Sequence, residues 1–498
     1  MRSSKKSPGG SVSVLQTGVP GLDDVLRGGL PENRTYLIQG SSGVGKTTLA
    51  LQFLLAGVQN GEAVLYFTLS ETEDEIRQVA DSHGFDLRGV SIRELSSAEQ
   101  LEQLERENTL YATEDVELAE VSRALIAEIE RVRPKRLVVD SMSELRGLSQ
   151  SAARFRRQVL RLKQQFASLG CTVLLLDEHG PKGSDHQLES IAHGVLRLEQ
   201  TPNEYGTDRR RLRVVKLRGI EFRSGYHDFW VRRGGLIVFP RLVAAEHRGA
   251  LAAGGLPTGV EPLDALLGGG IDRATCTLVL GPEGCGKSVF ATQFSTAAVS
   301  AGLRVAFFLF EERLDTFLHR AAGLNLPVAR ALEEDRIELK QVDPAELAPD
   351  EFTHDVRVAV EQRGVNVIVI DSLNGYLNAM PGAQYLKLQL HELLSYLGER
   401  GVASILTVTQ TGVAGAVSST IDASYLADTI VMLRYFESSG RVRRAISVVK
   451  KRTGSHEDSI REFSLGSNGI SIGEPLTRFT GVLTGSPLYS GRPEDLQP

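Results

Sequence analysis

Residues 40–47 read GSSGVGKT, and residues 281–288 read GPEGCGKS. Both fit G-x-x-x-x-G-K-[ST], and each follows a short aliphatic run and opens a helical pattern, TYLIQG before TLALQFLLAGVQ in the first case. In such a loop the glycines let backbone N–H groups close around phosphate oxygens, and the helix that follows presents its N-terminus to negative charge. The first cradle comprises Gly40, Ser41, Ser42, Gly43, Val44, Gly45, Lys46, Thr47 and Thr48; the second comprises Gly281, Pro282, Glu283, Gly284, Cys285, Gly286, Lys287 and Ser288. Lys46 and Lys287 are expected to reach the outer phosphates of ATP, and Thr47 and Ser288 to hold Mg²⁺.

Two cradles in one chain imply an internal repeat. The stretch TGVPGLDDVLRGGLPENRTYLIQGSSGVGKTTLALQF from Thr17 lies over TGVEPLDALLGGGIDRATCTLVLGPEGCGKSVFATQF from Thr258, ungapped, at a constant offset of 241. Asp140 in KRLVVDS then answers Asp371 in VNVIVIDS at an offset of 231, and Lys216 in VVKLRG answers Lys450 in VVKKRTG at 234. Changing offsets place the insertions in loops. The Ala- and Gly-rich segment VAAEHRGALAAGGL at 243–256 matches nothing in the repeat and reads as a linker. The expected organisation is a basic tail at 1–13, one domain over 14–243, a linker at 244–256, a second domain over 257–487 and a short tail at 488–498. In each half, apolar strand-like runs alternate with longer helical patterns, which predicts an α/β fold: two tandem P-loop NTPase domains, each a mostly parallel sheet flanked by helices. AISVVKKR and REFSLG, with no helix between them, predict added antiparallel strands late in the repeat.

Composition agrees with this. The 498 residues are 41% hydrophobic and 24% charged, with a net charge of -6, so a sizeable core is expected and the overall charge disfavours nucleic acid as partner. Cys171, Cys276 and Cys285 show no metal-ligand spacing and read as buried apolar residues of a reducing compartment. Neither a signal peptide nor an apolar run long enough to span a bilayer is present, so a cytoplasmic protein without membrane contact is expected.

Hydrolysis or transfer of a phosphoryl group needs acids as well. Asp140 and Asp371 each end an apolar strand and are expected on the metal. Counting 25 residues from each cradle lysine reaches Glu71 in TLSET and Glu312 in FLFEERL; the residue before is Ser70 in one half and Glu311 in the other. Such acids orient or deprotonate the attacking group. With Ser70 in place of an acid, slow turnover is expected in the first half.

The cradles, the preceding Gly-x-x-x-Leu-Asp and Gly-Gly segment, the Glu-Glu pair and the Lys-x-Arg elements together resemble the RecA-like ATPases of the KaiC group over roughly residues 14–487. The resemblance implies a two-tiered homohexamer with ATP between neighbouring subunits, an N-terminal ring that is mainly an ATPase and a C-terminal ring that is an autokinase and autophosphatase. It implies that Lys216 and Arg218, and Lys450 and Arg452, reach a neighbour's γ-phosphate, and that Glu311 is the base for self-phosphorylation with Glu312 assisting. Two features depart from the family. Where it carries an adjacent Ser-Thr acceptor pair this chain reads IDASYLADTIVML, leaving Ser424 as the acceptor candidate beside Tyr425, with Ser418, Ser419 and Thr420 as competitors. After GVLTGSP only LYSGRPEDLQP follows, so a KaiA-type activator is not expected, whereas a KaiB-like partner of the first ring remains compatible. Readings from other classes are a RecA-like DNA recombinase or helicase motor, for which TDRRRLRVVKLR and RVRRAISVVKKR are local basic candidates, and a nucleotide-gated hexameric scaffold without kinase activity.

Overall fold

The computed structural model describes residues 13–95, 113–149, 151–178, 186–203, 206–247, 249, 254–343, 345–378, 384–410, 425–438, 440–483 and 487–490. The chain forms two compact units, Met1–Arg241 and Leu242–Pro498.

The first unit is built on a nine-stranded sheet: β1 Thr35–Gly40, β2 Val64–Thr68, β3 Val90–Glu94, β4 Arg136–Asp140, β5 Thr172–Glu178, β6 Gly194–Thr201, β7 Arg209–Leu217, β8 His227–Arg232 and β9 Gly235–Phe239. Their order is β9-β8-β7-β6-β1-β5-β4-β2-β3. The six strands from β6 to β3 are parallel, and β7, β8 and β9 add on antiparallel. Parallel strands are covered on both faces and therefore read as unbroken apolar runs. Period-2 alternation divides them: Tyr36, Ile38, Tyr66, Val138, Leu174 and Leu176 pack with Phe53 and Leu54 of the helix after the first cradle, whereas Leu37, Leu65, Phe67, Val139 and Leu175 pack with Phe155, Val159 and Leu162 on the other face.

The second unit repeats the plan with β10 Cys276–Gly281, β11 Val305–Leu309, β12 Ile337–Gln341, β13 Val367–Asp371, β14 Ala403–Thr409, β15 Thr429–Ser438, β16 Arg441–Lys451, β17 Arg461–Gly466 and β18 Gly469–Pro475. Their order, β12-β11-β13-β14-β10-β15-β16-β17-β18, is the first unit's order with every index raised by nine. The antiparallel strands expected from AISVVKKR and REFSLG are β16 and β17. Leu242 and Ala244, on either side of the expected start of the linker, lie in the core of this second unit. Cys171, Cys276 and Cys285 are buried free thiols.

A buried ion pair of the first unit, Arg136 with Glu62, falls where the second unit has Val367 and Leu303. Arg136 opens β4 with no exposed surface; its guanidinium donates to Glu62 at 2.6 Å and to the Phe53 and Gln16 carbonyls at 2.9 and 2.7 Å, while Val367 takes its place in β13. It ties the start of the Asp140 strand to the cradle helix. Gly57 of that helix makes the room, since a Cβ there would stand 2.8 Å from the arginine side chain.

Candidate functional site

The cradles leave the C-terminal ends of β1 and β10 and run into helices Lys46–Gln59 and Lys287–Ser300. The last glycine of each cradle has φ of 114° and 115°, a region in which a side chain is strained. The first glycines are equally constrained: a Cβ at Gly40 or Gly281 would lie 2.8 or 2.7 Å from the carbonyl oxygen of Leu198 or Leu433. Val44 and Cys285 are buried and fix the loop from below. Lys46 Nζ donates to the Gly40 and Ser41 carbonyls at 2.9 Å, and Lys287 Nζ to the Gly281 and Pro282 carbonyls at 3.1 and 2.8 Å. Both lysines thus lie along their loops with the ammonium group at the cradle. Burial lowers the Lys46 pKa, against the pull of Glu178, Asp140, Asp177 and Glu71. Thr48 is directed elsewhere: its hydroxyl is bonded to His83 Nε2 at 3.1 Å.

β4 lies between β5 and β2, so Asp140 emerges beside the ends of both. Tyr66 of β2 donates its hydroxyl to Asp140 Oδ2 at 2.6 Å. Burial raises the Asp140 pKa, and the Tyr66 hydrogen bond and Lys46 oppose that rise. In the second unit Asp371 accepts instead from Thr407 of β14, and its Oδ2 is a buried oxygen with no protein partner. A buried carboxylate oxygen left without a protein partner is the kind of ligand that a hard cation such as Mg²⁺ takes, together with a hydroxyl. Thr47 with Asp140, and Ser288 with Asp371, fit that ion.

The glutamates differ between the halves. The pKa of Glu71 is raised by burial and by the nearby Asp140 charge, and its Oε2 is buried without a partner; Thr68 holds its backbone through bonds of 2.7 and 3.0 Å. In the second unit Glu311 accepts from the Ser372 hydroxyl at 2.6 Å, beside Asp371. Glu312 is engaged outside this group, in a two-point pair with Arg320 at 3.1 and 2.8 Å. Sequence reasoning missed Tyr66, Thr407 and Ser372, because a tyrosine or threonine inside an apolar strand reads as core. It also missed Glu178, which ends β5 opposite Gly40.

A row of polar side chains crosses the first sheet below the cradle. Gln39 stands between Asp177 and Arg197 in the strand register. Arg197 donates to Gln39 Oε1 at 3.2 Å and to Glu189 at 2.5 Å, and the fully buried Asp177 holds Arg146 through two bonds of 3.0 Å. The corresponding residues of the second unit are Leu280, Val408, Met432 and Leu377, all apolar.

The Lys-x-Arg elements sit at the opposite end of the sheets from their own cradles. Lys216 pairs with Val195, itself level with Leu37, three residues before Gly40 and so about 10 Å from the end of the strand. Lys450 pairs with Ile430, level with Leu278. Lys216 donates to the Glu189 carbonyl and Arg218 to the Ser190 carbonyl at 3.1 Å; Lys450 donates to Ala427 at 2.7 Å and Arg452 to Tyr425 at 3.2 Å. Other arginines of the basic strands are engaged within the sheet: Arg209 with Asp228, Arg211 with Glu199 and Arg443 with Glu462. Ser424, Ser418, Ser419 and Thr420 lie outside the described residues. Tyr425 is described and half exposed. Among the described residues no helix is long and apolar enough to cross a membrane.

The family model described as "ATPase: KaiC" matches residues 15–243 and again 256–477. The chain is 28% identical to the circadian clock protein KaiC3 of Synechocystis sp., over 97% of this chain and 96% of that one. It is 27% identical to the circadian clock oscillator proteins KaiC of Picosynechococcus sp. and Synechococcus elongatus, over 96% of this chain and 92% of each.

Proposed function

The chain belongs to the KaiC ATPase family, and from that we propose that its first unit hydrolyses ATP while its second transfers the γ-phosphoryl group of ATP to a hydroxyl of its own chain, in a homohexamer acting as a timer or signalling device in the cytoplasm. A KaiB-like or other signalling protein is the partner class that the family suggests. The observation that carries the division of labour is the difference between the acids: Glu71, with Glu178 nearby, lies close to Asp140 and Lys46 in the first unit, whereas Glu311 is bonded to Ser372 beside Asp371 in the second.

In this reading the cradle amides and Lys46 or Lys287 bind the phosphates, and Thr47 with Asp140, or Ser288 with Asp371, hold the metal. Mg²⁺ supplies neutralisation of the charge that builds on the phosphoryl oxygens. Glu71 orients water for attack, and Glu311 takes the proton from the acceptor hydroxyl. Lys216 and Arg218, and Lys450 and Arg452, lie too far from their own cradles to serve them and are assigned to the site of a neighbouring subunit. Ser424 is the proposed acceptor.

The test is intact mass and site mapping after incubation with Mg-ATP. Added phosphate on Ser424 or its neighbours that disappears in Lys287→Ala supports the autokinase. ADP without added phosphate would leave a double-unit ATPase.

Acidity offers a second check, on the first unit alone. Because burial and Asp140 raise the Glu71 pKa, this carboxyl takes up its proton at a higher pH than an ordinary glutamate, and the base form is lost as pH falls through that raised value. Turnover measured in Lys287→Ala is expected to decline on acidification from above the usual carboxylate range, and Glu71→Gln to remove that limb of the profile. A profile that stays flat down to the ordinary glutamate range would take Glu71 out of the role.

A further inference from the structure

We propose that Tyr66 is a positioning residue for the metal side of the first site, and that the two sites of the chain hold their metal-side aspartates from different strands and so bind divalent cations independently tuned. This rests on the Mg-ATP reading of the first site given above.

Tyr66 has no exposed surface, and its ring belongs to the core on the face that carries the cradle helix. Its hydroxyl is the group that meets Asp140, at 2.6 Å, and Thr47 at the head of the cradle helix is among its polar neighbours. One phenol therefore bonds one of the two residues that would hold the ion and lies near the other. In the second unit the register places Phe307 at this position, which has no donor. There the hydroxyl comes from the other neighbour of the aspartate strand, Thr407 of β14, whose counterpart in the first unit is the buried Leu176. Each aspartate thus has one strand-borne hydroxyl donor, and the two donors stand on opposite sides of it.

The arrangement has a chemical consequence. A hydrogen bond to one carboxylate oxygen fixes the plane of the group and leaves the other oxygen for the cation. In the first unit the strand that supplies this bond also carries Thr68, which holds the backbone of Glu71. Metal-side and water-side groups are thereby set by one strand, β2. In the second unit they are set by two, since Thr407 stands on β14 and Glu311 follows β11.

The experiment is a titration of Mn²⁺ by electron paramagnetic resonance in the presence of ADP, on the full chain carrying Lys287→Ala so that the first site alone is loaded. Tyr66→Phe is expected to weaken Mn²⁺ binding about tenfold, a typical loss for a group that orients a metal ligand, while ADP binding in EDTA stays unchanged. With Lys46→Ala in place of Lys287→Ala, Thr407→Val is expected to weaken Mn²⁺ binding at the second site and Tyr66→Phe to leave it unmoved. A Tyr66→Phe titration that superposes on its parent overturns the proposal, as does an equal change in metal-free ADP binding, which would mark a structural role. If no nucleotide-dependent Mn²⁺ binding is lost on combining Lys46→Ala with Lys287→Ala, it is the Mg-ATP reading itself that fails.

Discussion

Arg218→Ala is expected to leave ATP binding by the first unit intact and to lower its turnover by a factor on the order of 10³, the usual worth of an arginine supplied to a neighbouring phosphoryl group. The reason is positional. Arg218 follows β7 at the end of the sheet remote from Gly40, and its one described side-chain bond runs to the Ser190 carbonyl, so its removal disturbs no residue of its own cradle. A thousandfold loss corresponds to about 4 kcal/mol of transition-state stabilisation. The measurement is ADP release and nucleotide binding in assembled protein carrying Lys287→Ala, with oligomeric state checked in parallel. Unchanged turnover in an intact assembly would remove the role. Loss of assembly would make Arg218 an interface residue, and Arg218→Lys would then separate charge from fork geometry.

The second large effect is on the acceptor. Glu311→Gln is expected to cut self-phosphorylation by a factor of roughly 10² to 10⁴, the range for a positioned base. The amide can still accept from Ser372, so the local bond that Glu311 makes at 2.6 Å is preserved and the loss reports on proton removal. Glu312→Gln provides the contrast: Glu312 is spent on Arg320, so the substitution weakens a half-buried ion pair and leaves phosphorylation largely in place. Phosphate that persists on the mapped site in Glu311→Gln would refute the assignment. Phosphate lost equally in both variants would return Glu312 to the chemistry.

The repeat and the cradles were legible in the chain because each depends on local, directional requirements: glycines where amides must close on phosphate, and a lysine and hydroxyl at fixed distances from them. The sheet class followed from apolar runs of strand length between helical patterns. What could not be read is what a strand brings to its neighbours. Spacing places Glu311 and Glu312 side by side, yet one meets Ser372 and the other Arg320, a choice made by tertiary packing. Tyr66 and Thr407 were invisible for a related reason: in sequence they are core residues, and only the strand order sets each beside an aspartate. The late antiparallel strands were anticipated by AISVVKKR and REFSLG, whereas the remoteness of Lys216 from its own cradle needed the register of β6 against β7.

The polar row beneath the first cradle also bears on how the two halves of this gene product have drifted apart since duplication. Arg146 pairs with Asp177, and Arg197 with Gln39 and Glu189, where the other half has leucine, valine, methionine and leucine in place of Arg146, Asp177, Arg197 and Gln39. Replacing Arg146 alone leaves the fully buried Asp177 carboxylate without its cation, which costs more than exchanging both members of that pair. Intermediate sequences between the two solutions are therefore poor ones. A hybrid that grafts one half onto the other must carry each bonded pair, Arg146 with Asp177 and Arg197 with Gln39, across together, and gene conversion between the repeats is opposed wherever its endpoints separate the members of a pair.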